Sequence, residues 1–233
     1  MADLVQVAEQ VGTCEVEGWA AYEYCTECDY STYVEIPATH IPGEAVIENI
    51  VNYDSATGAM PKYDSVVYCD KCGAEISRTP KTASKRVILG TATNLESSLE
   101  LLFAVNAGAI PDGGYIVIRK TFSVDKNGNI AEDSYLTIPK DKLENMQGMK
   151  IFRYTGLAAK HMSDMFYITV YDKDGNIISV HKDSMRDYIM RQIDSATDAN
   201  AERFFIDLLN YGAAAQKYFQ YGANDLANNK LPE

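Results

Sequence analysis

All five cysteines of this chain lie within its first 72 residues, at positions 14, 25, 28, 69 and 72, and the rest of the chain has none. Four of them come as two CxxC pairs, Cys25 with Cys28 and Cys69 with Cys72. A segment this short buries little apolar surface, so a metal or covalent cross-links have to supply much of its folding energy. The asymmetry also places a boundary near residues 78–87, where the polar, basic stretch from Ser77 to Arg86 reads as a linker.

Laying residues 18–40 over 62–84 gives a weak internal repeat with an offset of 44 residues. Tyr24, Cys25 and Cys28 then coincide with Tyr68, Cys69 and Cys72. Each copy reads as a strand, a tight CxxC turn and a returning strand, and a period of this size points to duplicated small modules. The copies are unequal, because Cys14 faces Gly58 and His40 faces Ser84. Copy one runs Cys14, ten residues, Cys25, two residues, Cys28, eleven residues, His40.

Tetrahedral zinc takes four nitrogen or sulfur ligands at about 2.0–2.3 Å, and a CxxC turn presents two thiolates to one ion. Cys14, Cys25, Cys28 and His40 are therefore the expected zinc ligands, with Cys69 and Cys72 a decayed site that is empty or closed as a disulfide. Two other arrangements stay open. Outside the cell the cysteines can pair as disulfides with an odd thiol left over. Alternatively, the two CxxC pairs can share one four-thiolate site, as in a zinc ribbon. A thioredoxin-like redox motif fits least, since it should open a helix beside a βαβ unit, and β-type residues surround both pairs.

Beyond the linker, β-prone runs recur between turn signals: 86–92, 98–106, 115–124, 134–138, 150–154, 165–171 and 176–181. Two turns, 125–129 and 172–176, carry Asn-Gly and Asp-Gly pairs that favour tight hairpins. About seven short strands at this spacing predict a sandwich. From Ser184 the apolar period becomes helical, with Met185, Tyr188, Ile189 and Ile193 on one face. After a break at 195–198, a second helix aligns Phe204, Phe205, Leu208, Leu209, Tyr211, Gly212, Ala215, Tyr218 and Phe219, with Asp198 as its N-cap. The expected fold is mainly β (α+β). Residues 1–80 form zinc-knuckle-like β-hairpin modules (1–46 and 47–80), and residues 86–233 form a β-sandwich-like domain with two C-terminal helices.

A net charge of -12 repels phosphate backbones and argues against nucleic-acid binding. No run approaches the roughly 18 apolar residues of a membrane span. The first residues lack the pattern of a signal peptide, which read literally means a cytoplasmic protein. Enzyme motifs are missing too: there is no GxSxG elbow, phosphate-binding loop, HExxH or dinucleotide fingerprint. His161 and His181 read as ordinary satisfied or surface histidines. The stretch 172–175 echoes a calcium loop, but Val170 and His181 would occupy the first and twelfth positions, where carboxylates are needed. Sixteen tyrosines leave room for sugar stacking by Tyr115, Tyr135, Tyr154 or Tyr167, although residues in strand patterns more often serve the core.

The stretch Cys14…Cys25-Thr-Glu-Cys28…Ile36-Pro-Ala-Thr-His40-Ile-Pro-Gly-Glu-Ala-Val46, followed by 63–73, resembles repeats of large multimodular surface proteins from anaerobic, gut-type Gram-positive bacteria. In that pattern each repeat carries Cys, CxxC and a closing His before Pro-Gly-Glu. Copy one keeps all four positions, and copy two keeps only Cys69 and Cys72. The pieces 98–103, 154–164 and 208–218 resemble an uncharacterised domain recurring in the same proteins. The resemblance implies an exported, cell-surface setting and an accessory role without catalytic residues. The expected function is a structural or interaction module with a protein or polysaccharide partner, and the alternative is a carbohydrate-binding module.

Overall fold

The computed structural model describes residues 3–95, 99–120 and 135–231. The fold is mainly β with two helices at the C-terminal end. Packing divides the chain into two compact units, Met1–Glu48 with Asp64–Lys81, and Asn49–Tyr63 with Thr82–Glu233.

In the first unit β1 (Leu4–Val7) pairs antiparallel with β3 (Tyr22–Cys25), and β2 (Gly18–Trp19) with β4 (Glu35–Ile36). A three-stranded sheet runs in the order β5 (Pro42–Val51), β6 (Lys62–Cys69), β7 (Glu75–Thr82), and the boundary between the units falls within each of the three strands. Strand β7 lies at the sheet edge, and every one of its residues is exposed. Its Arg78 guanidinium holds Glu75 at 2.7 Å, Glu48 at 2.9 Å and Asp64 at 3.1 Å. Only five described residues of this unit are buried: Cys14, Gly18, Cys25, Val66 and Cys69. Three of the five are cysteines, so the interior here is sulfur and not an aliphatic core.

The second unit has a conventional core. One antiparallel sheet takes the order β11 (Tyr135–Pro139), β10 (Tyr115–Lys120), β14 (Phe166–Tyr171), β15 (Ile177–Asp183). The other takes the order β12 (Glu144–Met146), β13 (Met149–Leu157), β9 (Leu99–Val105), β8 (Ile88–Asn94). Alternation along β10 sends Ile116, Ile118 and Lys120 inward. Ile116 and Ile118 meet Val170 and Ile168 of β14 in register. From the facing sheet Phe103 and Phe152 stack at 4.9 Å between ring centroids, and all of these join one core with Val87, Ile110 and Phe166. The result is a two-sheet sandwich.

The β-prone runs all coincide with strands in their described parts. The hairpin turn expected at 125–129 lies outside the described residues. The turn at 172–176 forms between β14 and β15: the Asp172 carboxylate accepts from the amides of Asp174 (2.9 Å) and Asn176 (2.8 Å), which is hairpin geometry.

Helices α1 (Met185–Ser195) and α2 (Ala199–Phe219) follow. Ser184 Oγ caps α1 by accepting from Asp187 N at 2.9 Å, and Asp198 caps α2 through Asn200 N at 3.0 Å. Met185, Ile189 and Leu209 enter the sandwich core. Gly212 sits where a Cβ would run into Met162 and Ala227, so only glycine allows this approach. The inward face of α2 is narrower than its apolar pattern suggests. Leu209, Gly212, Ala213 and Gln216 are buried, whereas Phe204, Tyr211, Tyr218 and Phe219 stay exposed. Near the C-terminal end of α2 a polar network joins the buried face. Gln216 bonds Ser163 Oγ, the Asp225 carbonyl and the Ala227 amide, and Arg186 reaches Ser163, Asp225 and the Leu226 carbonyl.

Lys120, the inward residue at the end of β10, ends in an ion pair with Asp164 at 2.9 Å, with side chains only 8% and 2% exposed. Tyr221 donates its hydroxyl to the same carboxylate at 2.9 Å. Burial raises the Asp164 carboxyl, against the pull of Lys120 and Tyr221. Removing one member of such a pair strands the other. Asp164→Ala should therefore lower unfolding free energy by about 3–5 kcal/mol, and Lys120→Met combined with Asp164→Leu should recover most of it. Urea denaturation of the three proteins measures this, and equal losses in the single and double variants would refute it.

His181 lies in β15 with Nε2 buried and no hydrogen-bond partner. Burial, opposed by Asp183 and aided by Arg191, pushes its imidazole down to about 4. A base held neutral in the fold but protonated at about 6.5 once unfolded keeps its full stability contribution above pH 6.5 and loses it as pH falls toward 4. For His181 the loss should reach roughly 2 kcal/mol by pH 5. Amide hydrogen exchange of β14 and β15 at pH 7.5 and 5 reads it, with His181→Gln expected to flatten the difference.

Candidate metal centre

Four donor atoms, from Cys14, His40, Cys69 and Cys72, lie within 4.8 Å of one another in the first unit and could hold a metal ion. Strand β6 ends on Cys69 and the chain turns back through Cys72 into β7, so both thiols sit on the hairpin tip. The Asp70 amide donates to the Ile41 carbonyl at 2.9 Å, which brings the residues before β5 against this turn and delivers His40. Gly43 packs closely there, since a Cβ would press on the Asp70 carboxylate and come within 3.2 Å of the Tyr68 carbonyl. Cys14 comes from the loop between β1 and β2. The Thr13 hydroxyl accepts from the amides of Glu15 (3.3 Å) and Val16 (3.0 Å) and fixes that loop as a side-chain-closed turn.

Cys14 Sγ approaches Cys69 Sγ to 3.4 Å, and Cys72 Sγ approaches His40 Nδ1 to 3.4 Å. A tetrahedral divalent ion with metal–sulfur bonds near 2.3 Å and metal–nitrogen bonds near 2.0–2.1 Å sets its ligands about 3.5–3.8 Å apart. Those two separations are within a few tenths of an ångström of this range, and all four donors lie within 4.8 Å of one another, so the quartet closes on such an ion with shifts of about 1 Å or less. Cys14 and Cys69 are buried, while Cys72 and His40 form the exposed rim.

The protons are unevenly placed. The hydrogen bond to Cys69, then burial and Cys72, push the Cys14 thiol up to about 12. For Cys69, burial alone would raise the thiol. The amides of Cys72 and Lys71, followed by His40 and Cys14, outweigh it and bring Cys69 down to about 5. One thiolate thus sits beside a thiol that gives up its proton only to a cation, so metal uptake releases protons.

The structure gathers a different set of donors from the expected one. Cys14 and His40 are brought together, but Cys25 and Cys28 are not part of the quartet, and the pair read as decayed, Cys69 and Cys72, takes their place. The physical reason is strand pairing. Cys25 ends β3 opposite Leu4 of β1, whereas β5 and β6 are sheet neighbours that carry His40 to the Cys69 end. The second CxxC reads as decayed only if each copy is required to be complete in itself.

Cys25 is buried and Cys28 exposed. The Cys28 thiol and the Glu27 amide (3.4 Å to Sγ) lower the Cys25 thiol, and the same contact raises Cys28. Of the four tyrosines suited to sugar stacking, Tyr115 stacks on Tyr171 at 5.0 Å, Tyr154 packs on Phe166, and Tyr167 lies under Arg119. Tyr135 is exposed.

No family model matches the chain, and no curated protein matches it. Geometry therefore carries the functional reading.

Cys69→Ser should weaken metal binding by more than about 100-fold, because disturbing even an outer-shell partner costs 10- to 100-fold. Cys25→Ser should leave the affinity of this quartet within a few-fold of the parent. Competition with a chromogenic chelator measures both.

Proposed function

We propose that the first unit is a zinc-stabilised structural module, and that the whole chain is a non-catalytic structural or interaction module of a larger exported cell-surface protein. Three thiolates and one imidazole in tetrahedral reach suit zinc, which takes soft and borderline donors without a geometric preference of its own. All four positions are filled by side chains. Catalytic zinc keeps one position open for water or substrate, so a closed set favours a structural role.

The observation that carries this reading is the interior of the first unit, where cysteines make up three of five buried residues. Structural zinc contributes about 10–16 kcal/mol in small zinc domains, comparable to the whole stability of an ordinary domain. The metal would then stand in for the missing core. The exported, surface-bound setting is supported by the resemblance of residues 14–46 and 63–73 to repeats of multimodular surface proteins. Docking or spacing between protein or polysaccharide partners is the task consistent with it. No helix among the described residues is long and apolar enough to cross a membrane.

Elemental analysis of the purified full chain should find about one zinc per molecule in the quartet, and a strong chelator should melt the first unit while the sandwich persists. Trp19, in β2 of the first unit, reports that melting by fluorescence. A zinc-free protein whose Trp19 signal and melting ignore the chelator would end the proposal.

A further inference from the structure

The two CxxC turns are built alike, yet only one belongs to the quartet. Cys25 N donates to the Tyr30 carbonyl at 2.9 Å, and Cys69 N donates to the Ala74 carbonyl at 2.8 Å, five residues ahead in both cases. The first sulfur of each turn also faces the amides two and three residues ahead. These are Glu27 and Cys28 for Cys25, and Lys71 and Cys72 for Cys69. Amides aimed at sulfur favour the thiolate, the form that ligates metal. Each turn follows directly from a strand, β3 or β6, that ends on its first cysteine.

The Cys25 turn therefore has the geometry of a ligand pair without the rest of a site. Its counterparts of Cys14 and His40 do not exist within this sequence. The other three cysteines and His40 are already gathered in the quartet, and His161 and His181 belong to the second unit. The turn is also acidic. Residues 22–33 carry Glu23, Glu27 and Asp29 and no lysine or arginine, a local field that draws cations. Cys28 is exposed, so the pair can be reached from outside.

We propose that Cys25 and Cys28 form a second metal half-site, which holds a soft divalent cation through two thiolates and takes its remaining two ligands, a cysteine and a histidine, from outside residues 1–233. The metal would then act as the joint between this unit and a neighbouring module, of the same protein or another, that bears such a pair. The proposal extends the metal reading of the quartet, and the following experiment separates the two.

The reduced full chain is titrated with Zn²⁺, and at each step its free thiols are alkylated and mapped by mass spectrometry. The first equivalent should protect Cys14, Cys69 and Cys72 and leave Cys25 and Cys28 reactive. The second equivalent should protect Cys25 and Cys28. Imidazole and a small monothiol, added together as stand-ins for the missing ligands, should tighten that second step at least tenfold without moving the first. In the Cys25→Ser/Cys28→Ser variant the second step should vanish while the first remains. If Cys25 and Cys28 stay reactive at every zinc level, or their protection ignores the added donors, the half-site is refuted. Failure of the first equivalent to protect Cys14, Cys69 and Cys72 would instead count against the quartet, while the half-site would still stand or fall on the protection of Cys25 and Cys28.

Discussion

The first unit depends on one meeting: two sulfur atoms on a hairpin tip with a third sulfur and an imidazole that arrive from distant loops. Cys14 and Cys69 are 55 residues apart in sequence and 3.4 Å apart in space. A metal cross-link of that span would remove considerable freedom from the unfolded chain, the same argument that makes long-range disulfides effective. Local features serve this meeting. The Thr13 turn presents Cys14, the Asp70–Ile41 hydrogen bond presents His40, and Gly43 lets the chain come close enough. Without an ion, one thiolate and one reluctant thiol share a small space. With an ion, both become ligands.

The second unit rests on different physics. Its sandwich encloses aliphatic and aromatic side chains from both sheets and both helices, including Phe103, Ile116, Ile168, Ile189 and Leu209. Apart from the unpartnered His181 Nε2, the charged groups that enter are paired. Lys120 meets Asp164, Arg186 meets Asp225, and Arg191 grips Asp183. Of the three, only Lys120–Asp164 is buried on both sides, since Asp225 and Arg191 are about half exposed. A buried pair of this kind specifies position more than it adds stability.

Most of the fold is legible in the sequence, because strand alternation and helical periodicity are local signals. The seven β-prone runs from residue 86 onward, the break before Asp198 and its capping role all follow from neighbours within a few residues, whereas the stretch read as a linker from Ser77 is strand β7 as far as Thr82. The short strand β12 carries too few residues for a pattern. The outward aromatics of α2 escape such a reading, because Phe and Tyr mark an apolar face without saying whether anything covers it. The metal ligands are half legible. Residue type and the CxxC spacing point to sulfur chemistry, and they pair Cys14 and His40 with a CxxC turn. Which turn they choose is a question of strand order, set by the neighbouring of β5 and β6 and invisible to spacing along the chain.

Strand β7 adds a consequence of another kind. A bare sheet margin is normally an invitation, since its free amides and carbonyls can extend the ladder into a neighbouring chain. Here Pro80 deletes one of those amides, and Lys81 beside it adds a charge that an incoming strand would have to accommodate. Copies crowded side by side would find no clean template for adding strands to one another. The margin stays bare without becoming adhesive, and whatever sticking this protein does is left to other surfaces.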